Sequence, residues 1–382
     1  MTRVLIHVQH LLGTGHLRRA AAIAKALAEE GAAVTLVSGG LPVGHLDHGD
    51  ATLVQLPAVA AADATFKTLI DDAGRPVDDA FKAARCQALL TAFAAARPAI
   101  VVTELYPFGR RLLSFELEPL LAAARGAGAR LVCSLRDIVV AKSDPRRTAA
   151  MLAQAADYAL VLVHGDRALL PLEASFPAAG ALADRLVYTG YVEGPLGPSP
   201  PGDDGRDEVI VSTGGGRVGM ALVDAALAAR AAGSARERTW RVLLGGDFDP
   251  VARARAAAAA RAGVIVQAAR PDFPGLLARA ALSISQAGYN TVVDVLRAGV
   301  RCVLVPFAAE QEREQTLRAA ALERRGRAIV VAESVLSTEN LAAAVERSLQ
   351  GPPPPLHEVR MGGATASARA ILALAARTPA RT

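Results

Sequence analysis

Aromatic residues make up only 4% of this 382-residue chain, and tryptophan occurs once. Basic residues gather at Arg18 and Arg19, Arg110 and Arg111, Arg146 and Arg147, and Arg324, Arg325 and Arg327. No aromatics interleave with them to stack on bases, so nucleic acid is not the expected partner. Cysteine is equally scarce: Cys86, Cys133 and Cys302 are odd in number and far apart, which argues against a disulfide framework and for free thiols. No apolar run approaches the ~20 residues of a membrane-spanning helix. The opening stretch "MTRVLIHVQHLLG" carries two histidines and no cleavage pattern, so a secretory signal is not expected and a cytoplasmic location is.

What is present points elsewhere. The 52% hydrophobic content is inflated by alanine, a strong helix former that adds little to a core. A formal charge of +5 and an isoelectric point near 9.4 suit an anionic partner, whether a nucleotide or an anionic membrane surface met peripherally. At roughly 100–200 residues per domain, the length predicts two domains and a cleft between them.

Short β-branched runs such as "RVLIHV" (3–8), "AVTLVS" (33–38), "AIVVT" (99–103), "RLVCSL" (130–135) and "YALVLVH" (158–164) alternate with alanine-rich amphipathic stretches. That alternation predicts an α/β chain with doubly wound parallel sheets. Between 191 and 207 the composition turns to proline, glycine and acid, which reads as an unpacked linker. The strand pattern then restarts with "EVIVSTGGG". The expected organisation is a Rossmann-like domain over 1–190, the linker, a second such domain over 208–355, and a tail, 356–382, whose helix "TASARAILALAAR" needs a partner and could pack back on the first domain.

Each half opens with a strand running into a glycine loop and then a helix. Glycine permits positive φ and close approach to a ligand, and the helix N-terminus offers unpaired N–H groups, so the pair predicts phosphate binding. The first loop, Gly13, Thr14, Gly15, His16 and Arg18, lacks the third glycine of a dinucleotide fingerprint. The second, with Gly214, Gly215 and Gly216, lacks the Gly-Lys-Ser/Thr of a P-loop. A tight strand-to-helix turn accounts for either loop alone.

His16, expected in a first helical turn where N–H dipoles disfavour the imidazolium, is a candidate base. Glu104, Arg136, Asp137, His164, Gly165 and Asp166 each follow a strand at its C-terminal end, where open α/β sheets bind ligands. Helix capping competes as the explanation for Asp137 and Asp166. Of this group Glu104 is the least easily read as a cap and is a second candidate base or acceptor contact. The "DFD" at 247–249 invites a metal reading, but Asp249 before Pro250 reads better as an N-cap, and no metal is expected.

In the second half, Ser285, Gly288, Asn290 and Thr291 form a polar loop opening a helix, with Asp294 placed near the end of its first turn. The stretch "SQAGYNTVVDVLRAGVRCVLVPF" and the acid- and glutamine-bearing helix after it resemble the nucleotide-sugar signature of the GT-B glycosyltransferases, family 28 and its MurG-like members above all. The N-terminal "GTGH" resembles that family's first glycine loop. A group of predicted bacterial glycosyltransferases with a "VQHLLGxGHLxRA" pattern is similar again.

The resemblance implies two Rossmann-like domains facing an interdomain cleft and transfer of a sugar from a nucleotide diphosphate, a UDP-sugar, to an acceptor by an inverting, metal-independent step without a cofactor. It further implies that Asp294 binds ribose, that Gly288, Asn290 and Thr291 line the diphosphate, and that Gly214 to Gly216 approach the diphosphate or the acceptor. Main-chain groups from Arg270 to Phe273 would read the base. Glu310 with Gln311 or Gln315 would meet the sugar; "VPFAAEQEREQ" is a residue longer than the family pattern, which leaves the choice of glutamine open. The acceptor could be lipid-linked, a saccharide or a small molecule. "GTGHLRR" also resembles the G-x-G-H-x-x-R stretch of PseG-type UDP-sugar hydrolases, in which water replaces the acceptor. A non-catalytic nucleotide-sugar-binding or membrane scaffold is the reading from another class.

Overall fold

The computed structural model describes all residues except 12, 64–67, 140–143, 214–218, 246–248, 261, 309–312, 356–358 and 377–382. The chain divides into two units: residues 1–193 with 360–382, and residues 194–359.

In unit 1 the strands are β1 (Arg3–Val8), β2 (Ala33–Ser38), β3 (Thr52–Gln55), the short β4 (Ala60–Ala61) and β5 (Leu69–Ile70), β6 (Ile100–Glu104), β7 (Arg130–Arg136), β8 (Tyr158–His164) and β9 (Leu186–Tyr188). Helices α1 (Gly15–Glu29), α2 (Asp79–Ala96), α3 (Ser114–Gly126) and α4 (Pro145–Ala155) connect them. The main sheet has the order β3-β2-β1-β6-β7-β8-β9, and its pairings are parallel throughout. Its strands read as near-continuous apolar runs because both faces are covered. In β1, Leu5 belongs to one apolar cluster and Val4, Ile6 and Val8 to the other.

Helix α1 starts at Gly15 and buries Leu17, Ala20, Ala21, Ala24 and Leu27, the three-and-four spacing of an amphipathic helix. Past its end Gly31 takes a φ of +85°, which a side chain would disfavour. The C-terminal helix α11 (Gly363–Ala376) sits in unit 1, where Ala368, Ile371 and Leu374 share a cluster with Leu17 and Leu27.

Unit 2 runs β10 (Val209–Ser212), α5 (Met220–Ala231), β11 (Trp240–Leu244), α6 (Pro250–Ala259), β12 (Val264–Ala268), α7 (Phe273–Arg279), β13 (Leu282–Ser285), α8 (Tyr289–Ala298), β14 (Cys302–Leu304), α9 (Glu314–Arg324), β15 (Ile329–Val330) and α10 (Thr338–Gln350). Its parallel sheet has the order β12-β11-β10-β13-β14-β15. Asp249 caps α6 by accepting from Val251 N at 2.8 Å, with Pro250 at the first helical position; Asp247 lies outside the described residues.

The linker expectation needs correction. Tyr191 and Val192 are buried within unit 1. Residues 194–207 are held to unit 2 by ion pairs that composition does not show: Arg241 pairs with Glu208 and Asp204, and Arg270 reaches Asp204 and Asp272. The Arg279 guanidinium adds donors to Pro200 O and Gly202 O. Cys133 and Cys302 are buried free thiols, whereas Cys86 is half-buried. No helix among the described residues is long and apolar enough to cross a membrane.

Candidate functional site

In both sheets the order of the strands reverses once, and open α/β sheets bind ligands beyond the carboxyl ends of the strands at that reversal. In unit 1 the reversal falls between β1 and β6, in unit 2 between β10 and β13. The loop after β1 is the "GTGH" loop, and β6 ends at Glu104.

The β1–β6 pairing brings together two residues 88 positions apart. His16, the second residue of α1, places Nδ1 2.7 Å from Glu104 Oε1. The same carboxylate oxygen accepts from Arg19 Nη2. Glu104 and Arg19 are almost fully buried, while 14% of the His16 side chain stays exposed. Burial opposes charge on Glu104, but His16 and Arg19 outweigh it and hold the carboxyl well below the usual range. Burial pushes His16 down to about 3; Glu104 opposes the shift, and Arg110 and Arg136 add to it. At neutral pH the pair is therefore a carboxylate and a neutral imidazole. A carboxylate can only accept, so Nδ1 carries the proton and Nε2 presents a lone pair. The two candidate bases form one hydrogen-bonded dyad, in which Glu104 sets the tautomer of His16.

Around this pair, Thr14 is the N-cap of α1 and its Oγ1 accepts from Arg18 Nε at 3.2 Å, while Arg18 is exposed. Gly13 has a φ of +67°. The loop after β6 is pinned by Thr103 Oγ1 to Tyr106 O at 2.9 Å and Leu105 N to Ser134 O at 2.9 Å. Leu105 and Arg110 both sit in the left-handed region, at φ 66° and 62°. Each costs of order 1–3 kcal/mol, and such strain concentrates at functional sites.

Three other strand-end candidates are structural. His164 is buried, with Nε2 2.8 Å from Ser134 Oγ and Nδ1 2.9 Å from Thr189 Oγ1; burial lowers it to about 3. Asp166 accepts from Ala168 N and Arg360 N, tying down the start of the C-terminal segment. Asp137 is buried beneath Gly165 and accepts from the Tyr191 hydroxyl at 3.5 Å. Sequence reading missed a second buried network altogether. Arg85 donates to both oxygens of Glu116, to Gly39 O and to Gln9 Oε1, while His7 Nε2 lies 3.5 Å from Glu116. Nothing in the spacing of these residues marks it.

In unit 2, Gly288 is the N-cap of α8 and brings no side chain to the helix start, with Asn290 exposed in the first turn. That is a ready anion cradle. Asp294 is the sixth residue of α8, in its second turn and about half a turn deeper than expected. It is partly buried, and burial raises its carboxyl to about 7, weakly opposed by Arg297.

Ser285 corrects the expected polar loop: it ends β13, is fully buried and has no partner for its hydroxyl among the described residues. Gln315 Oε1 accepts from Ala287 N at 3.0 Å and Phe307 N at 3.1 Å, bracing the loops after β13 and β14. Beside it, buried Arg318 donates to Ala287 O at 2.7 Å and to Glu314 Oε1 at 2.8 Å. Its only sequence signal is the Glu314–Arg318 spacing of four. The Arg270 side chain is committed to Asp272 and Asp204, and Arg270 O accepts from Phe273 N at 3.3 Å. Gly214, Gly215, Gly216, Glu310 and Gln311 lie outside the described residues.

With this geometry in view, comparison with known proteins is informative. Residues 225–371 match the family model of the glycosyltransferase family 28 C-terminal domain. Across 81 residues the chain is 37% identical to the UDP-N-acetylglucosamine–N-acetylmuramyl-(pentapeptide) pyrophosphoryl-undecaprenol N-acetylglucosamine transferase of Desulfitobacterium hafniense, covering 21% of this chain and 22% of that one. Matched stretches span between 22% and 43% of the curated relatives' lengths. The structure of MurG from Acinetobacter baumannii superposes with a TM-score of 0.59 at 18% identity, covering 98% of this chain and all of that one. CalG4, the calicheamicin glycosyltransferase, gives a TM-score of 0.62 at 17% identity over 97% of this chain and 94% of its own. At such identities the superpositions speak to the fold alone.

The fold is that of the GT-B glycosyltransferases, two units each built on a doubly wound parallel sheet. The family 28 C-terminal domain match begins in unit 2 and runs on into the returning C-terminal segment, and the similarity to family 28 relatives is confined to part of the chain.

Proposed function

We propose that this chain is a glycosyltransferase that moves a sugar from a nucleotide diphosphate, a UDP-sugar, to an acceptor hydroxyl. The observation that carries the reading is the His16–Glu104 dyad at the unit 1 switch point. His16 Nε2 removes the acceptor proton as the hydroxyl oxygen attacks the anomeric carbon, and Glu104 stabilises the imidazolium that forms. The bond to the donor diphosphate breaks on the opposite face, so the configuration inverts. The N–H groups at the start of α8 take up the charge of the departing diphosphate, which gives that step an electrostatic partner without a resident metal or cofactor. Asp294 accepts from the ribose hydroxyls, and Gln315 holds the surrounding loops in register. Gly214 to Gly216 and Glu310 with Gln311 complete the donor side in this reading.

The named relatives are transferases, which favours an acceptor other than water. The Desulfitobacterium hafniense relative is named for a pyrophosphoryl-undecaprenol acceptor. A lipid-linked acceptor met at the inner face of the membrane is the corresponding proposal here, and the net charge of +5 suits an anionic surface.

A thermal-shift screen of the full chain over UDP, dTDP and their sugars tests the donor side, with UDP ligands expected to raise the melting temperature in the wild type and not in Asp294→Ala. No stabilisation by any nucleotide would overturn the reading. Release of free sugar at the full rate without acceptor would replace transfer by hydrolysis.

A further inference from the structure

The segment 194–207 follows α7 from the loop before that helix to its last residue, and it does so backbone against backbone. Gly197 takes a φ of +70°, and a Cβ there would collide with the carbonyl oxygen of Pro271. Gly205 takes +84°, and a Cβ would lie 2.9 Å from Leu276 O. From the other side, a Cβ on Gly275 would lie 2.6 Å from Pro200 Cδ. At the end of α7, Arg279 Nη1 donates to Pro200 O at 3.2 Å and Gly202 O at 3.0 Å, and Arg279 O accepts from Asp207 N at 3.0 Å. Charge fixes the other end. Asp204 Oδ1 accepts from Arg241 Nη2 at 2.8 Å, and its Oδ2 from Arg270 Nη1 at 2.5 Å. Arg241 belongs to β11, is nearly out of reach of solvent, and is gripped by both oxygens of Glu208 at 2.7 and 2.8 Å. Arg270 lies in the loop after β12 and also holds Asp272. Asp204 is therefore a bridge that ties a loop arginine to the sheet, and hydrogen bonding from Arg270 with the charge of Arg241 holds its carboxyl below the usual range. Where the segment begins, Arg297 of α8 donates to Gly194 O at 3.0 Å.

We infer that residues 194–207 are a positioning strap for the loop after β12, and that Asp204, acting through Arg270, sets how strongly the chain tells one nucleotide base from another. The inference rests on the proposed donor reading, in which main chain from Arg270 to Phe273 meets the base and the start of α8 meets the diphosphate. A loop that reads a base with main-chain groups has no side chain to adapt, so its discrimination depends on being held in place before the ligand arrives. The sheet anchors this loop at Ala269, whose N–H donates to Leu244 O at 2.7 Å. Beyond that point the strap supplies the restraint: Gly197 backs the Pro271 carbonyl, and Asp204 fixes Arg270. Neither residue touches substrate. Both act on the base-reading loop and leave the diphosphate contacts, which belong to another helix, in place.

The test needs no acceptor and no turnover. Affinities of the full chain for UDP, dTDP, ADP and GDP are measured by calorimetric titration, with wild type expected to prefer UDP. Asp204→Ala is expected to weaken the preferred nucleotide about 10-fold and to leave the least preferred within about twofold, so that the affinities converge. The variant keeps its fold because each guanidinium retains a carboxylate, Glu208 for Arg241 and Asp272 for Arg270. Gly197→Ala, which pushes on Pro271 from the other point of restraint, is expected to lose selectivity in the same way. Ser337→Ala supplies the structural control: it removes the side-chain cap that accepts from Asn340 N at the start of α10 and is expected to lower the melting temperature with base selectivity intact. Unchanged selectivity in Asp204→Ala, an equal loss for every nucleotide, or the same convergence in Ser337→Ala would each overturn the inference. So would a wild type that binds all these nucleotides equally, a result that leaves the transfer reading standing. A wild type that binds none of them overturns the donor reading itself, and the inference with it.

Discussion

The two switch points share a topology and differ in chemistry. In unit 1 the crevice between β1 and β6 is built from titratable side chains: His16, Glu104, Arg19, Arg110 and Arg136. In unit 2 the corresponding place after β13 gives onto the main-chain N–H groups at the start of α8, beyond Gly288, and Asp294 lies in the second turn of that helix. In the proposed reaction the same strand-loop-helix device serves proton transfer in one unit and anion binding in the other. What separates them is whether the helix start bears a histidine facing a carboxylate or a glycine with no side chain at all.

The comparison breaks most sharply at His16. His16→Ala is expected to lower turnover about 10²–10⁴-fold while leaving UDP affinity unchanged, since a general base acts on the reacting proton and not on the donor. Kinetics beside a UDP titration check it; a matching loss of UDP affinity would merge the two sites. Next comes Asp294→Asn. A carboxyl raised from the ordinary value to about 7 in the folded chain keeps a proton that the unfolded chain releases. Wild-type stability is then lost as pH rises from about 4 towards 7, by up to about 4 kcal/mol, and the variant is spared that loss. Denaturant melts at pH 4.5 and pH 8 should show the gap opening only at the higher pH. Smaller again is Gln315→Ala, which removes two acceptor contacts and is expected to cost about 1–3 kcal/mol, read as a lower melting temperature and weaker UDP binding. The least visible outcome is a flat one: with His16 lowered to about 3, the dyad stays neutral-plus-carboxylate and turnover should show no acid limb between pH 5 and pH 8. A limb near 6.5 would mean that His16 titrates as a solvated imidazole.

Much of the fold was legible because buried parallel strands are written as continuous apolar runs. "RVLIHV", "AVTLVS" and "YALVLVH" correspond residue for residue to β1, β2 and β8. The β4–β5 pair escaped because two-residue strands of Ala60–Ala61 and Leu69–Ile70 leave no periodicity. The 191–207 stretch misled because its acids look solvated in one dimension, whereas Asp204 meets Arg241 and Arg270 from 37 and 66 residues away. At the site, His16 and Glu104 could each be named from their position after a strand, but their pairing is a product of sheet order. Arg110 was visible only as half of a basic pair.

One feature of unit 1 has an engineering meaning. The chain leaves that unit after Glu193 and returns at Arg360, and these two passages are hydrogen-bonded to each other, Tyr191 N to Arg360 O at 2.8 Å and Gly363 N to Tyr191 O at 2.8 Å. Residues 194–359 are thus a cassette spliced into a host whose cut ends are already stitched together. Domain insertion succeeds where termini lie side by side. The stitch at Tyr191 marks where the corresponding segment of a relative could be exchanged into this chain without disturbing the host's α1–α11 core.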